Sequence, residues 1–455
     1  MKGLEVSEVR FSELNNEHRI DAEYFSKENL AGIKRLSDFG TFQIGDIAEV
    51  TDGIHTSIDY DENSRVNLIS ATSPKENVFD LSRGAFISEK AHAENPRTAL
   101  RKNDVIISTV GTIGNCAVVD DSILPANSDR HVGIIRIKDD YSPYILSTFL
   151  LSKYGRMQTL RESTGNVQLN LFIYKLRELQ IPDFSTDFQS QIESLVKSAH
   201  EKLSESKSLY AQAEDTLLSE LGLKNWQPKN ENINVKTLSE SFLSSGRLDA
   251  EYYQSKYDEI EQKIKCNAQY VSLFELFDLL SNPSPKQYYS EGIKVIKTKN
   301  IRIPAIEYDT ISDCTIDDCL KIQNGDLLFA SMGVGSLGRM SFVFDTKFDC
   351  TIDGTIKLLR IKNKFKNQYY EIPTLLFLTS TIGQELIYKN VIGSTGIISI
   401  SKESIENLIV PIVNREKRIE ITNKVYQSFA LKAESKRLLE EAKMMVEKEI
   451  EKGSK

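Results

Sequence analysis

Two stretches of this 455-residue chain are nearly identical: Arg19-Ile20-Asp21-Ala22-Glu23-Tyr24-Phe25 and Arg247-Leu248-Asp249-Ala250-Glu251-Tyr252-Tyr253. The first stretch begins at residue 19 and the second at residue 247. The offset of 228 positions is close to half the chain length. Recurrence at such a spacing indicates an internal repeat, and a repeat decides the fold before any single element does.

Further matches follow in the same order along the two halves, at offsets from 222 to 231. They pair Asn103–Ile107 with Gly325–Phe329, Arg136–Lys138 with Arg360–Lys362, Ser163–Gly165 with Ser394–Gly396, Ile181-Pro182 with Val410-Pro411, and Glu205–Lys207 with Glu434–Lys436. A drift of a few residues is what insertions in loops produce. The order and spacing predict a duplicated chain.

Each half shows the same local pattern. An amphipathic helix, Asp21–Leu36 or Asp249–Ile264, precedes short strands rich in β-branched residues. Longer helices are predicted at Pro143–Leu160 and Pro373–Tyr388, each with a proline in the first turn. The predicted strands are Val66–Ser70, Asp104–Ser108, Val132–Ile137, Ile293–Thr298, Asp326–Ala330 and Thr355–Ile361. The predicted fold class is therefore mixed α/β (α+β), present in tandem.

A long helix is predicted to end each half. Its apolar stripe alternates steps of four and three, the spacing of helices that pack along one another. The stripe positions are Ile192, Val196, Ala199, Leu203, Ser206, Tyr210, Ala213 and Leu217, and in the second half Ile421, Val425, Ser428, Lys432, Ser435, Leu439, Ala442 and Val446. A helix over Ile192–Leu221 is roughly 45 Å long at 1.5 Å per residue. We expect an antiparallel coiled coil with pseudo-twofold symmetry.

These patterns predict five segments. Two α/β domains occupy residues 1–185 and 236–413, and helices occupy residues 186–223 and 414–455. A polar linker, residues 224–235, follows Gly222, which should end the first helix.

Composition excludes several classes of protein. With 57 Lys plus Arg against 65 Asp plus Glu, the net charge of −8 argues against bulk positive charge coating nucleic acid, although a local basic face is compatible with it. The longest apolar runs, such as Tyr144–Leu151, are far shorter than the roughly 20 residues of a membrane-spanning helix, and the chain opens on no signal peptide. We expect a cytoplasmic protein with free cysteines and no metal site.

No sequence motif predicts catalysis. Gly333–Gly338 has the form G-x-G-x-x-G, but the residues after it, Arg339–Phe344, have the pattern of a strand rather than the helix that a dinucleotide site needs. The matching stretch of the first half, Gly111–Asn115, lacks the three glycines. A turn is the favoured interpretation, and a standalone enzyme acting through this turn is the weaker hypothesis.

Polar and basic residues near the small-residue turns of both halves are candidates for contact with DNA. Backbone amides and hydroxyls in such turns can approach phosphates, and Arg, Lys, Asn and Gln can read base edges. The candidates are Ser108, Thr109, Thr112, Asn127, Arg130, His131, Asn166, Gln168 and Asn170 in the first half, and Lys297, Lys299, Asn300, Arg302, Ser331, Ser336 and Arg339 in the second.

The whole pattern resembles the specificity subunit of a type I restriction-modification system. The local marks are Asp104–Gly111 with Asp326–Gly333, and the segments Gly165–Pro182 and Gly396–Pro411 that lead into the helices. The family's usual proline-rich helix entry is reduced here to Ile181–Phe184 and Val410–Val413.

The resemblance implies a non-catalytic chain that reads a bipartite, asymmetric target in double-stranded DNA. It implies two methyltransferase subunits and restriction subunits as partners, with S-adenosylmethionine, ATP and Mg bound by those partners and no cofactor in this chain. It also implies that the helix pair sets the length of the unread spacer. The alternative is a protein-binding scaffold whose duplicated domains read no bases.

Overall fold

The structure is a computed structural model that describes residues 6–11, 14, 19–82, 84–138, 140–165, 167–229, 231, 233–285, 287–316, 319–346, 348–393 and 396–453. The chain divides into two compact units. The first unit comprises Met1–Ser204 and Leu431–Lys455, and the second unit comprises Glu205–Ala430. The first unit is therefore formed by two segments that are separated in the sequence by the second unit.

The first unit is a mixed α/β fold built on a four-stranded antiparallel sheet. Its helices are α1 (Lys27–Phe39), α2 (Ile44–Ile47), α3 (Glu89–Glu94), α4 (Pro143–Leu151), α5 (Lys153–Glu162), α6 (Ile173–Glu178) and the first part of α7 (Thr186–Glu220). Its strands are β1 (Thr41–Gln43), β2 (Ala48–Asp52), β3 (Val66–Ile69), β4 (Ala85–Ile87), β5 (Val105–Ser108), β6 (Cys116–Val118), β7 (Ala126–Ser128), β8 (Val132–Ile137) and β9 (Gln180–Pro182). The sheet orders are β2-β8-β5-β6, β4-β3-β7 and β1-β9.

The second unit has the same kinds of sheets. Its helices are α8 (Phe242–Ser245), α9 (Ser255–Asn267), α10 (Leu273–Leu276), α11 (Glu371–Thr379), α12 (Thr381–Lys389), α13 (Lys402–Glu406) and the first part of α14 (Arg415–Lys452). Its strands are β10 (Gln269–Ser272), β11 (Phe277–Leu280), β12 (Ile293–Ile296), β13 (Cys314–Thr315), β14 (Leu327–Ala330), β15 (Met340–Phe342), β16 (Cys350–Ile352), β17 (Ile356–Ile361), β18 (Val391–Ile392), β19 (Ser399–Ile400) and β20 (Ile409–Ile412). They form sheets ordered β11-β17-β14-β15, β13-β12-β16, β10-β20 and β18-β19.

Short 3₁₀ helices occupy the loops of both units: Asp121–Ile123 in the first, and Ala250–Tyr253, Thr298–Asn300, Tyr308–Thr310 and Asn363–Phe365 in the second. Within the described ranges, no helix combines the length and the apolar composition that crossing a membrane requires.

The central strand of each large sheet is buried on both faces. In β5, Val105 and Ile107 pack into the cluster that contains the helices, whereas Ile106 packs into a second cluster on the other side. In β14, Leu327 and Phe329 likewise face one cluster and Leu328 another. Alternate side chains of a strand point to opposite faces, so a continuous apolar run is the pattern that two covered faces require.

The prediction of single long helices at Pro143–Leu160 and Pro373–Tyr388 is wrong in one respect, because the structure has two consecutive helices in each place. Ser152 separates α4 from α5, and its hydroxyl caps α5 by accepting a hydrogen bond from the Gly155 N–H at 3.4 Å. Ser380 separates α11 from α12 and accepts from the Gly383 N–H at 3.2 Å. A Cβ added to Gly383 would lie 2.1 Å from the Phe377 carbonyl oxygen, so this sharp bend requires glycine.

Helices α7 and α14 pack together, and each contributes to both units. In the first unit Ile192 and Val196 of α7 share a buried cluster with Ala442, Val446 and Ile450 of α14. In the second unit Ala213 and Leu217 share a cluster with Ile421 and Val425. Most positions of the predicted stripe are thus buried, while Lys432 is exposed.

A buried pair of serines lies in the part of this packing that belongs to the second unit. The Ser428 hydroxyl donates to the Ser206 carbonyl oxygen at 2.7 Å, and the two hydroxyl oxygens are 3.1 Å apart. Lys424 Nζ lies 3.3 Å from Thr216 Oγ1, and Lys417 Nζ lies 3.4 Å from Glu220 Oε1. As residue numbers increase along α7, the numbers of their partners on α14 decrease. These portions of the two helices are therefore antiparallel. Mutual pairing satisfies hydroxyls that would be costly to bury alone.

Replacing Val446 with Ala tests whether α14 completes the core of the first unit. Val446 is fully buried in the cluster that includes α4. Removing two buried methyl groups should lower the free energy of unfolding by about 2 kcal/mol. Hydrogen exchange should speed up in α4 although it lies about 300 positions away in sequence. The matched control is Lys448→Ala, an exposed position on the same helix. Equal exchange in α4 for both variants would contradict the assignment.

Candidate nucleic-acid interface

The turn after β5, residues 108–114, organises the candidate site of the first unit, and we refer to it as the Thr109 turn. The Thr109 N–H donates to the His131 carbonyl oxygen at 3.0 Å, and the Leu171 N–H donates to the Thr109 carbonyl oxygen at 2.8 Å. These two backbone bonds bring together three segments that the sequence predicted separately. The segments carry Thr112, Arg130 with His131, and Gln168 with Asn170.

The hydroxyls of the Thr109 turn are partly used inside the protein. Ser108 and Thr109 are buried, and the Ser108 hydroxyl donates to the Ala71 carbonyl oxygen at 2.5 Å. The Thr112 side chain is exposed, although its hydroxyl also donates to Ala71, at 2.9 Å. Ser108 and Thr109 therefore hold the turn in place, and Thr112 presents its surface.

Arg130 places a positive charge beside this turn, next to the imidazole of His131. Arg130 is exposed, and its Nε lies 3.4 Å from Nε2 of His131. His131 Nδ1 lies 3.3 Å from Asp129 Oδ2, and its backbone N–H donates to Asp129 Oδ1 at 2.9 Å. Asp129 thus orients the imidazole, and the Arg130 guanidinium stays at the surface.

Two further basic residues, His55 and Arg97, reach this region and were missed by sequence reasoning. The Ile54 N–H donates to the Ser128 carbonyl oxygen at 2.8 Å, which places the His55 loop beside Asp129. His55 and Arg97 both pair with Asp52, at 2.5 and 3.1 Å. A Cβ on Gly53 would lie 2.0 Å from the Asp129 carbonyl oxygen, so the approach requires glycine. The sequence feature that could have indicated this close approach is the Asp52-Gly53 dipeptide.

The predicted row of amides after Gly165 is described only in part. Thr164 and Asn170 exchange two backbone hydrogen bonds, at 3.0 and 2.8 Å, and thereby close a short loop. Gln168 is exposed on this loop and Asn170 is half-buried. Asn166 lies outside the described residues. Gln168 and Asn170 remain candidates for contact with a base edge.

Asn127 is a structural residue in this geometry. It is fully buried, and its amide nitrogen donates to the Thr98 hydroxyl at 2.8 Å and to the Asn95 carbonyl oxygen at 3.0 Å. Its amide oxygen contacts His92 Nδ1. With these partners the side chain is satisfied and faces away from solvent, so burial removes it from the surface that a ligand could touch.

The second unit repeats the backbone arrangement at residues 331–338, the Ser331 turn. The Ser331 N–H donates to the Thr355 carbonyl oxygen at 2.9 Å, and the Ile400 N–H donates to the Ser331 carbonyl oxygen at 3.0 Å. Ser331 is buried, and its hydroxyl donates to the Thr355 carbonyl oxygen at 2.9 Å. Ser336 is half-buried and donates to the Met332 carbonyl oxygen at 2.9 Å. Strand β15 follows, so Gly333–Gly338 is a turn, as predicted.

The basic candidates of the second unit are mostly paired with carboxylates. Lys297 and Lys299 both approach Asp313 Oδ2, at 3.3 and 3.9 Å, and Lys297 Nζ lies 3.6 Å from the centre of the Tyr288 ring. Arg302 lies 3.4 Å from Glu307 Oε2. Two further candidates are Asn300, which is buried and donates to Thr310 Oγ1 at 2.9 Å, and Arg339, which is half-buried between Gly338 and β15.

A buried ion pair fixes the strand that leads into each turn. Arg136 donates to both carboxylate oxygens of Asp104, at 2.9 and 2.7 Å, and Arg360 donates to both oxygens of Asp326 at the same two distances. These hydrogen bonds raise the pKa of Arg136 and of Arg360. Each aspartate immediately precedes the central strand, so the bidentate contact ties that strand to its neighbour β8 or β17.

Asp104→Asn tests this role. The variant keeps the shape of the side chain but leaves Arg136 without its anion, so the free energy of unfolding should fall by about 3 kcal/mol. Asp121→Asn is the matched control, since Asp121 pairs with Lys102 at 2.5 Å at an exposed site and its loss should leave stability unchanged. Chemical denaturation of both variants gives the comparison. Equal stabilities would show that the buried pair is dispensable.

The described residues offer little for catalysis. No group of three or more His, Cys, Asp or Glu side chains with metal-binding geometry occurs among them. Burial raises the pKa of Cys116, and it raises the pKa of Cys350 to about 12, so both thiols stay protonated at neutral pH. A protonated thiol is a poor nucleophile.

Two similar turns, with exposed basic and amide side chains on a mixed α/β scaffold, provide the kinds of groups that proteins use to contact nucleic acids. Residues 36–214 match the family model described as Type I restriction modification DNA specificity domain. The match confirms the resemblance predicted from the sequence, to the specificity subunit of a type I restriction-modification system. It also confirms the prediction of a non-catalytic chain, because the matched model describes a specificity domain.

Solved structures provide more distant comparisons. The type I restriction-modification S subunit from M. genitalium is 14% identical, with a TM-score of 0.44, covering 90% of this chain and 94% of that one. The HsdS subunit from Thermoanaerobacter tengcongensis is also 14% identical, with a TM-score of 0.30 and coverage of 91% and 95%. A comparison with curated proteins gave no match. The family match of residues 36–214 therefore carries the functional argument.

Proposed function

We propose that this chain is the DNA sequence-recognition subunit of a type I restriction-modification complex and reads a bipartite, asymmetric target, one half with each unit. The observation that carries the proposal is the turn shared by both units. The backbone bonds of Thr109 recur at Ser331, yet the side chains around the two turns differ. Two domains with the same backbone arrangement but different surface side chains are suited to recognising two different DNA sequences.

The proposed contacts are the candidate side chains that reach the surface. In the first unit these are Thr112, Arg130, His131, Gln168 and Asn170, and in the second Lys299, Arg302, Ser336 and Arg339. Arginine and lysine would contact phosphates or guanine, and the amides would contact adenine. Asn127 and Asn300 support the surface from inside.

The proposed organisation has recognition domains at residues 1–185 and 236–413, a linker at 224–235, and spacer helices at 186–223 and 414–455. Opposed contacts such as Ser206 with Ser428 support an antiparallel coiled coil with pseudo-twofold symmetry. In this arrangement the helix pair sets the length of the unread spacer.

Partner subunits complete the proposed activity. Two methyltransferase subunits would bind S-adenosylmethionine and modify the target, and restriction subunits would use ATP and Mg. Because this chain has a net charge of −8, partners that contact the phosphates would increase the affinity of the complex for DNA. This division of labour leaves recognition to the chain described here.

Binding to DNA tests the recognition role. We expect the full chain, mixed with its methyltransferase subunit, to select one sequence from a random duplex pool. Arg130→Ala should weaken binding about tenfold by removing a charged contact. The matched control is Lys34→Ala, which removes an exposed lysine of α1 that is not among the candidate contacts. If the complex selects no sequence while remaining assembled, the protein-binding scaffold is the correct alternative.

Lengthening the helices tests the spacer role. One heptad inserted between Leu203 and Tyr210, together with one between Lys432 and Leu439, keeps the stripe in phase. The methylated target should then have a longer spacer and the same two halves. Mapping methylated adenines in genomic DNA measures this directly, and an unchanged spacer would eliminate the helices as its determinant.

A further inference from the structure

The two units place positive charge differently around their equivalent turns. In the first unit Arg130 and His131 follow Asp129. The corresponding residues of the second unit are Gly354 and Thr355 after Asp353, which carry no charge. The correspondence rests on matching bonds, since the N–H groups of His131 and Thr355 each donate to the preceding aspartate at 2.9 Å. The segment Asp353–Thr355 therefore lacks the basic side chains that follow Asp129 in the first unit.

Lys357 brings an ammonium group to the turn formed by residues 353–355, which has no basic side chain of its own. It lies on β17, is half-buried, and its Nζ is 3.4 Å from the Gly354 carbonyl oxygen. No carboxylate lies within ion-pair distance of it among the described residues. The equivalent position on β8 is Gly133, where a Cβ would lie 2.7 Å from a methyl group of Leu176. A side chain at position 133 would require Leu176 to shift, whereas the second unit already accommodates a lysine at the equivalent position.

Lys402 lies near the same turn. It starts α13, directly after the β19 strand whose Ile400 N–H donates to the Ser331 carbonyl oxygen at 3.0 Å. Lys402 is exposed and lies 3.6 Å from Glu406. Burial lowers the pKa of Lys357, and the charge of Lys402 lowers it further, while Asp353 opposes the shift. Because the charge of Lys402 disfavours the charged form of Lys357, an anion placed beside both ammonium groups would be stabilised.

We propose that Lys357 and Lys402 together bind one phosphate of the DNA backbone at the turn formed by residues 353–355. The inference rests on the proposed function and adds to it. The second unit would hold its half of the target through cations at positions that the first unit does not use. Phosphate contacts carry no sequence information, so this pair would position the DNA without reading it.

The test measures binding of the full chain, in complex with its methyltransferase subunit, to duplex DNA over a range of salt concentrations. Lys357→Met and Lys402→Met should each weaken binding about tenfold, and the slope of log affinity against log salt should fall by about 0.9 for the lost phosphate contact. Target and random duplexes should lose affinity by the same factor. Lys357→Arg should restore the slope.

The control is Lys366→Met, an exposed position beyond the opposite end of β17, which should leave the slope unchanged. Thermal unfolding shows that each variant folds. Should Lys357→Met fail to fold, the exposed Lys402→Met decides the question. A loss confined to the target sequence, or an unchanged slope in Lys402→Met, would overturn the phosphate site. Failure of the assembled wild-type complex to bind any duplex would instead overturn the proposed function.

Discussion

Residues 431–455 must pack against residues 1–204 before the first unit has a complete core. Ala442, Val446 and Ile450 are fully buried in the same cluster as the strands and helices formed by the first half of the chain. The second unit takes the intervening residues and the remaining parts of α7 and α14. Folding of the first unit thus depends on contacts between segments that are far apart in the sequence, and such contacts are slow to form.

The repeat and the strands of the large sheets could be predicted because their signals are local. The apolar run Val132–Ile137 is the strand β8 residue for residue. The breaks at Ser152 and Ser380 were not predicted, since serine and glycine are tolerated within helices. Only the structure shows that Gly155 and Gly383 lie against the backbone carbonyl groups of Phe149 and Phe377.

The surface was harder to predict than the fold. Asn127 and Asn300 have the right chemistry for reading bases, but only the structure shows that each is buried with its amide nitrogen already hydrogen-bonded. His55 and Arg97 pair with Asp52, and the loop after Asp52 lies beside Asp129 through contacts between residues far apart in sequence. Whether a basic side chain is neutralised also depends on residues distant in sequence. Lys297, for example, is paired with Asp313.

The internal frame and the surface of each unit have separate roles in this account. The Asp104–Arg136 and Asp326–Arg360 pairs have the same geometry and hold the same strand pairing. Around that frame the exposed groups differ between units, so recognition can change without loss of the fold. The match of residues 36–214 to a DNA specificity domain agrees with such a division.

Exchanging residues 1–185 for the corresponding segment of another specificity chain tests the central claim most directly. Methylated adenines would be mapped in genomic DNA from cells that carry the chimera and its methyltransferase subunit. The account predicts that one half of the target changes while the other half and the spacer stay the same. A target altered in both halves, or altered in neither, would contradict independent recognition by the two units.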